Sequence, residues 1–146
     1  MQVTGEWQLR DDGVVRPIMR AKVLGSAGTL ASENFLIDSG ADRTVLSAVL
    51  LARLQLPTQS ADPGVTLSGI GGTSEFVLVT TVIALMRDDG VLVRIRGEFA
   101  GFTDPKTLDM SVLGRDVLGN FDLIIGRHRN EILLLAPRHR YRIDRE

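Results

Sequence analysis

Cysteine is absent from the sequence, and its absence excludes several kinds of chemistry. The chain has no disulfide, no thiol nucleophile and no zinc site built from thiolates. Because disulfides accumulate in oxidising compartments, their absence leaves the compartment open but fits a reducing cytosol best. A cytoplasmic location is therefore expected.

Long hydrophobic runs are also missing. The longest nearly uncharged apolar run, FVLVTTVIALM at 76–86, is too short to cross a bilayer as a helix. Residues 1–10, MQVTGEWQLR, have neither the basic segment nor the apolar segment of a secretory signal peptide. These two absences predict a soluble protein with no membrane span.

Charge of one sign is not in excess, and histidine is scarce. The 17 basic and 18 acidic residues give a formal net charge of −1, so the composition makes no case for nucleic acid. His128 and His139 lie among arginines near the C-terminus, which argues against a Ser-His-Asp site. The glycine-rich GIGG at 69–72 lacks the Lys-Ser/Thr of a phosphate-binding loop, and the aspartates show no metal-ligand spacing. No cofactor or metal is implied.

What is present is a β-protein pattern. Short runs rich in Val, Ile and Leu alternate with clusters of Gly, Asp and Pro, and the 146 residues are 44% hydrophobic, enough for the core of one domain. Turn residues predict hairpins at 10–14, 87–90 and 126–130. The predicted strands lie near 6–10, 14–24, 30–37, 65–69, 74–86, 91–100, 121–126 and 131–136.

Helices are predicted in two places only. The first is 47–56, with Ser47 as N-cap and Pro57 as the stop, and the second is a short turn at 114–120. Longer connections are expected near 57–64 and 101–111. Many strands with few helices favour a small barrel or a closed sandwich.

The stretch FLIDSGADRTVLS at 35–47 carries the chemistry. An apolar run ends directly in Asp38, and a buried carboxylate without a partner is costly. The following Ser39 and Gly40 predict a tight turn in which N–H groups and a hydroxyl hold the carboxylate. The plainer alternative is a strand-end acid that only caps local N–H groups.

Two carboxylates in contact share one proton, because both cannot ionise at that range. Such a pair deprotonates a water with one oxygen and protonates a carbonyl with another. This chemistry hydrolyses a peptide bond with neither a metal nor a covalent intermediate.

Three segments together resemble the retropepsin-like aspartic peptidases. DSGADRTVLS at 38–47 is similar to their Asp-Thr/Ser-Gly-Ala motif, with Ser in place of the commoner Thr. LSGIGGTSEF at 67–76 resembles their flap hairpin, and SVLGRDVLGNFDLII at 111–125 resembles their apolar-apolar-Gly segment with its Arg and short helix. The resemblance frames about residues 14 to 136 in the family's order. It implies an all-β closed barrel with a flap hairpin and one or two short helices, acting as a homodimer.

The resemblance implies a role for each matching residue. Asp38 is the catalytic aspartate, Ser39 bonds across to the partner subunit, and Gly40 lets the substrate backbone approach. Asp42 pairs with Arg115, whereas the alternative is two independent surface charges. The positions implied to support the site are Ser39, Gly40, Ala41, Asp42, Thr44 and Arg115.

The flap and the floor of the site follow from the same resemblance. A β-hairpin tip that needs positive φ is the simpler interpretation of these glycines, and a flap is such a hairpin made mobile. The residues implied to close over a bound peptide are Gly69, Ile70, Gly71 and Gly72. Those implied to pack beneath the catalytic turn are Val112, Leu113 and Gly114.

One Asp-Ser-Gly cannot supply two carboxylates, so the enzyme is expected to be a homodimer in which Asp38 meets its own copy. The expected function is an aspartic endopeptidase acting on a polypeptide substrate. Two alternatives stay open: a silent peptide-binding module and a dimerisation module of the same fold.

The ends of the chain leave other questions open. Residues 119–137, GNFDLIIGRHRNEILLLAP, read as an extra hairpin that viral members usually lack. Cellular relatives of the eukaryotic DNA-damage-inducible type carry a hairpin more like this one. Trp7 is either an N-terminal anchor on the barrel or part of the dimer seam. The tail at 138–146 is expected to be a solvated end, with a basic tether to RNA or lipid as the minority alternative.

Overall fold

A computed structural model describes residues 1–61, 67–69, 72–74, 76–104 and 110–136. Within these residues the chain forms short and long strands and two short helices, α1 (Ala48–Leu54) and α2 (Arg115–Leu118). The strands are β1 (Gln2–Thr4), β2 (Glu6–Leu9), β3 (Val15–Leu24), β4 (Leu30–Ile37), β5 (Val45–Leu46), β6 (Gln59–Ser60), β7 (Leu67–Gly69), β8 (Gly72–Ser74), β9 (Val77–Met86), β10 (Leu92–Gly101), β11 (Ser111–Leu113), β12 (Asp122–Gly126) and β13 (Glu131–Leu135).

A ring of strands closes into a barrel. The hydrogen-bonded order runs β3, β4, β11, β5, β10 and β9, and a further pairing of β3 with β9 closes the ring. Closure leaves no exposed edge among these strands, which explains how so many short strands form a stable unit. The predicted all-β barrel with two short helices is confirmed.

The alternation of side chains decides which face of each barrel strand is buried. In β3, Met19, Ala21 and Val23 are buried in the main core cluster, while Arg20 and Lys22 between them are exposed. This period of two is the geometry of a strand with one face on the core. The same cluster contains Phe35 and other fully buried side chains from β4, β9, β11 and α1.

Other strands flank the barrel. β2 pairs with β3 and β6 pairs with β9, both antiparallel. A separate three-stranded sheet has the order β1-β13-β12, so the predicted hairpin at the C-terminal end is present and is joined by the N-terminal strand. No helix of the described residues is long and apolar enough to span a bilayer.

Strand predictions were accurate for the long elements and missed several of the short ones. The predicted strand at 74–86 is interrupted, because β8 ends at Ser74 and β9 begins at Val77. All three predicted hairpin turns are present, with positive φ at Gly13, Gly90 and Asn130. The strands that the sequence did not predict are β1, β5, β6 and β11. Each has two or three residues, too few to show an alternation of apolar and polar positions.

The first helix begins as predicted and ends early. The Ser47 hydroxyl accepts a hydrogen bond from Leu50 N at 3.2 Å, so it is the N-cap. The predicted stop at Pro57 is wrong, because Gln55 adopts a left-handed conformation with φ 52° and ends the helix at Leu54. The C-terminal tail at 138–146 lies outside the described residues, as do parts of both predicted long connections.

Candidate active site

Asp38 follows the last residue of β4 and starts a tight turn. Its N–H donates to the carbonyl of Leu113 at 3.1 Å, which extends the parallel ladder between β4 and β11 by one residue. Its carboxylate accepts a hydrogen bond from Gly40 N at 2.9 Å, and its carbonyl accepts one from Ala41 N at 3.2 Å. The turn predicted from Ser39 and Gly40 is therefore present, with Asp38 half-buried at its start.

Gly40 permits this arrangement for a steric reason. A Cβ added to Gly40 would lie 3.1 Å from Oδ1 of Asp38, tighter than most contacts of a real Cβ. A side chain at this position would therefore press on the carboxylate and weaken the bond from its own N–H. Ser39, between the two, is exposed.

Arg115, the first residue of α2, holds the turn through hydrogen bonds. The N–H of Arg115 donates to the carbonyl of Ala41 at 2.8 Å, and its guanidinium donates to the carbonyl of Ser39 at 2.9 Å. The guanidinium also forms an ion pair with the carboxylate of Asp42, as the resemblance implied. Because the side chains of Arg115 and Asp42 are 53% and 84% exposed, the ion pair itself adds little stability, and the bonds to the main chain hold the turn.

Thr44 is the buried junction between the turn and α2. Its hydroxyl donates to Oδ1 of Asp116 at 2.6 Å and accepts a hydrogen bond from Gly114 N at 3.0 Å. The N–H of Thr44 donates to the same aspartate oxygen at 2.9 Å, as does Val117 N. Since Thr44 is fully buried, these bonds satisfy groups that have no access to water.

Gly114 is required where the two chain segments cross. A Cβ at this position would lie 2.5 Å from the carbonyl carbon and oxygen of Arg43, which no real side chain tolerates. The close crossing lets Gly114 N reach Thr44 and sets the start of α2 directly against the turn. This explains the glycine of the predicted apolar-apolar-Gly segment, with Leu113 fully buried before it and Val112 nearly so.

A small apolar cluster lies beside the turn and is separate from the main core. Half-buried Ala41, in the turn itself, packs against this cluster. Phe76, which follows β8 in the chain and directly precedes β9, is a buried member of the same cluster. The buried members are Val45, Phe76, Ala100, Phe102 and Val112. Through Ala41 the turn is therefore packed against a buried apolar cluster.

The predicted flap falls partly within the described residues. β7 and β8 pair antiparallel with Gly69 opposite Gly72, so a tight hairpin is present at the predicted place. Ile70 and Gly71, which the resemblance places at its tip, lie outside the described residues.

Two polar groups escaped the sequence analysis. The sequence analysis gave Asp116 no role, although an acid in the first turn of a helix is a capping signal that could have marked it. Glu33 accepts hydrogen bonds from the hydroxyls of Ser111 at 3.1 Å and Ser47 at 3.3 Å, and ties β4 to β11 and α1. A glutamate in the middle of a strand carries no sequence signal of such a role.

Trp7 lies in β2, opposite Pro17 of β3. Its ring packs against the main core cluster, and the guanidinium of Arg127 lies over it at 5.4 Å from the centroid. Trp7 therefore anchors the N-terminal strand on the barrel, which is one of the two roles the sequence left open.

The closed barrel and the braced Asp-Ser-Gly turn define a small aspartic-peptidase-like protein of the retropepsin kind. The family model for aspartyl protease matches residues 20–117, and the chain belongs to this family. No curated protein is significantly similar to this chain.

Solved structures share the fold. A retropepsin-like aspartic protease from Rickettsia conorii superposes with a TM-score of 0.57 at 16% identity, covering 92% of this chain and 90% of its own. The EIAV protease complexed with the inhibitor HBY-793 superposes with a TM-score of 0.50 at 24% identity, covering 71% of this chain and 86% of its own. At these identities the likeness establishes the fold alone.

Proposed function

We propose that this protein is an aspartic endopeptidase and that Asp38 is its catalytic carboxylate. The observation that carries the proposal is the hydrogen bonding of the Asp38 carboxylate. It is held in place by Gly40 N, while no other described residue hydrogen-bonds to its oxygens. An acid fixed by its own turn and otherwise unsatisfied has oxygens available for a water and a substrate carbonyl.

The proposed enzyme is a homodimer. Among the described residues no second carboxylate contacts Asp38, and the sequence has a single Asp-Ser-Gly, so the partner acid must come from another copy. One carboxylate of the pair takes a proton from water, and the other gives its proton to the carbonyl oxygen of the scissile peptide. Collapse of the tetrahedral intermediate then breaks the C–N bond as the amine takes up a proton.

The neighbouring residues position this pair. Ser39 bonds to the partner subunit, and Arg115 holds the carbonyl of Ser39, so the two turns are fixed relative to each other. Asp42, Ala41 and Thr44 support the main chain of the turn. The substrate lies as an added strand between this floor and the hairpin that contains Gly69 to Gly72.

Cleavage of an unfolded protein tests the proposal. The wild-type chain is incubated with unfolded substrate across about pH 3–7, where carboxylate pairs change their protonation. We expect fragments, with a rate that is highest at acid pH and falls on both sides because the pair needs one shared proton. Asp38→Asn must lower the rate of cleavage by about 10²-fold or more, while Asp122→Asn, at an exposed aspartate of β12, must leave it unchanged.

Mixed subunits test the homodimer. Adding an excess of Asp38→Asn chain to the wild type replaces active pairs by pairs with one acid, so activity per wild-type chain falls. Activity that stays proportional to the wild-type chain alone contradicts the shared pair. Dimerisation without any turnover by the wild type identifies instead a silent binding or dimerisation module.

A further inference from the structure

The outer wall of the barrel carries basic side chains on adjoining strands. Lys22 of β3 and Arg94 of β10 are both placed opposite Ala84 of β9, one on each side. Arg96 follows on the same face of β10, opposite Val82. We call the surface formed by Lys22, Arg94 and Arg96 the basic outer face.

These three cations have no charged or hydrogen-bonding partner among the described residues. Within the described residues, Lys22, Arg94 and Arg96 form no ion pair and no side-chain hydrogen bond, and all are exposed. Arg20, two residues before Lys22, is paired with Glu6 at 2.6 Å. The protein as a whole has a net charge of −1, so a set of unpaired cations on one wall is a local concentration of charge and not a general property of the surface.

An apolar floor accompanies the cations. Ala84 is 1% exposed although it lies on the outer side, which is explained if the aliphatic stems of Lys22 and Arg94 cover it. A shallow cleft of about 460 Å³ adjoins it, lined by the apolar Met86 and Leu92 and also by Glu33, whose carboxylate accepts hydrogen bonds from the hydroxyls of Ser111 and Ser47. Met86 is 47% exposed. The surface therefore combines positive charge with accessible apolar side chains.

The spacing of the cations matches an extended peptide. Arg94 and Arg96 are alternate residues of one strand, so their Cα atoms are about 7 Å apart, which is also the repeat of side chains on one face of an extended peptide. Lys22 and Arg94 are separated by two strand spacings, about 9.5 Å. Few cations and an apolar floor suit a polypeptide better than a nucleic acid, which needs many phosphate contacts.

We propose that the basic outer face binds an acidic, partly apolar segment of polypeptide. Its role as a docking surface for substrate, away from the cleavage site, rests on the proposed peptidase function, whereas binding itself does not. Glu98, two residues beyond Arg96 on the same face of β10, is an exposed carboxylate that bounds the basic surface at that end.

Binding is measured on the Asp38→Asn chain, so that no turnover is needed. The probe is a short fluorescent peptide of alternating Glu and Leu, and its control has Gln in place of Glu. We expect the acidic peptide to bind more tightly than the control, and its binding to weaken between about 0.02 M and about 0.3 M salt, because the contacts are exposed charges. Equal binding of the two peptides overturns the proposal.

Matched variants locate the surface. Arg94→Gln with Arg96→Gln is compared with Arg53→Gln and Arg129→Gln, two exposed arginines elsewhere. We expect the first pair to weaken binding of the acidic peptide about fivefold, and the second pair to leave it unchanged. Equal effects of the two pairs overturn the proposal, as does a single-stranded oligonucleotide that binds the same face more tightly than the peptide.

The active enzyme gives a second measurement. With the wild-type catalytic turn, an acidic extension of a cleaved substrate lowers KM, and Arg94→Gln with Arg96→Gln removes that effect while kcat stays the same. If the wild type cleaves nothing but the acidic peptide still binds at these residues, the peptidase proposal fails and the binding surface stands.

Discussion

Asp38 and Asp116 lie on either side of the same crossing of the chain but are used differently. One oxygen of Asp116 accepts hydrogen bonds from Thr44 N, the Thr44 hydroxyl and Val117 N. The Asp38 carboxylate accepts one from Gly40 N, and no other described residue adds a second.

This difference in hydrogen bonding indicates a structural role for Asp116 and a chemical role for Asp38. A carboxylate oxygen that accepts several protein N–H and O–H groups is committed to holding the fold. A carboxylate that its own turn positions, with oxygens left over, is suited to act on another molecule. The two regions are connected, since Arg115, next to Asp116, holds the turn of Asp38 through Ser39 and Ala41. The hydrogen bonds around Asp116 and Thr44 thus support the turn that carries Asp38.

Replacing Asp38 by Asn removes the proposed catalytic carboxylate and has the largest expected effect on activity. Loss of the acid–base group lowers kcat/KM by about 10²–10⁴-fold, because the amide neither accepts nor supplies the shared proton. The free energy of unfolding in urea changes by less than about 0.5 kcal/mol, since an amide oxygen still accepts from Gly40 N. A variant that unfolds easily and also loses activity would make Asp38 a structural residue like Asp116.

Replacing Gly114 by Ala tests the crossing. The added Cβ would meet the backbone of Arg43 at 2.5 Å, so the two segments must separate, and we expect a loss of about 3 kcal/mol in the free energy of unfolding. The control is Gly126→Ala, where the nearest atom to the added Cβ is 3.8 Å away. Similar urea midpoints for the two variants would mean that the close crossing is not needed.

Replacing Thr44 by Val removes the hydroxyl that bonds to Asp116 and Gly114, while the side chain keeps nearly the same shape. Gly114 N then loses its acceptor and Asp116 loses a donor, and we expect a cost of about 2 kcal/mol in urea unfolding, because Gly114 N is left buried and unsatisfied. Thr80→Val, at an exposed threonine of β9, is the matched control. If the two variants lose the same stability, the hydroxyl of Thr44 does not support the site.

Asp12 is a third kind of carboxylate, because it forms an exposed ion pair with Arg16. Its replacement has the smallest expected effect on stability. Hydrogen bonding from Arg16, with a further bond from Val14 N, lowers the pKa of Asp12 from its ordinary 3.8 to about 2. Because the pKa is lower in the folded state, the pair stabilises the protein above about pH 4, and this contribution is lost as the pH falls towards about 2.

The melting temperature of the wild type and of Asp12→Asn, measured from about pH 2 to pH 6, checks this sign. The wild type is expected to melt slightly higher than Asp12→Asn near neutral pH, and the difference to vanish at the acid end. A difference that grows on acidification would contradict the direction of the pKa shift. The site of Asp38, by contrast, is expected to be most active in acid.

The sequence was informative where a signal is local. The alternation of β3 and β4, the turn glycines at 13 and 90 and the cap at Ser47 are all visible in neighbouring residues, and all are present in the structure. The turn at Asp38 was predicted for the same reason. Short strands such as β5 and β11 were missed because two or three residues form a strand only when partners distant in sequence flank them.

Local chemistry by itself therefore determined the Asp-Ser-Gly turn, the long strands and the helix start, since each depends on residues within a few positions of one another. Only the tertiary structure decided that Asp116 and Thr44 bond to each other, that Gly114 is the crossing point and that Lys22 and Arg94 share one wall. Those relations join residues 70 or more positions apart. Their energies come from burial and from contacts that exist only once the barrel has closed.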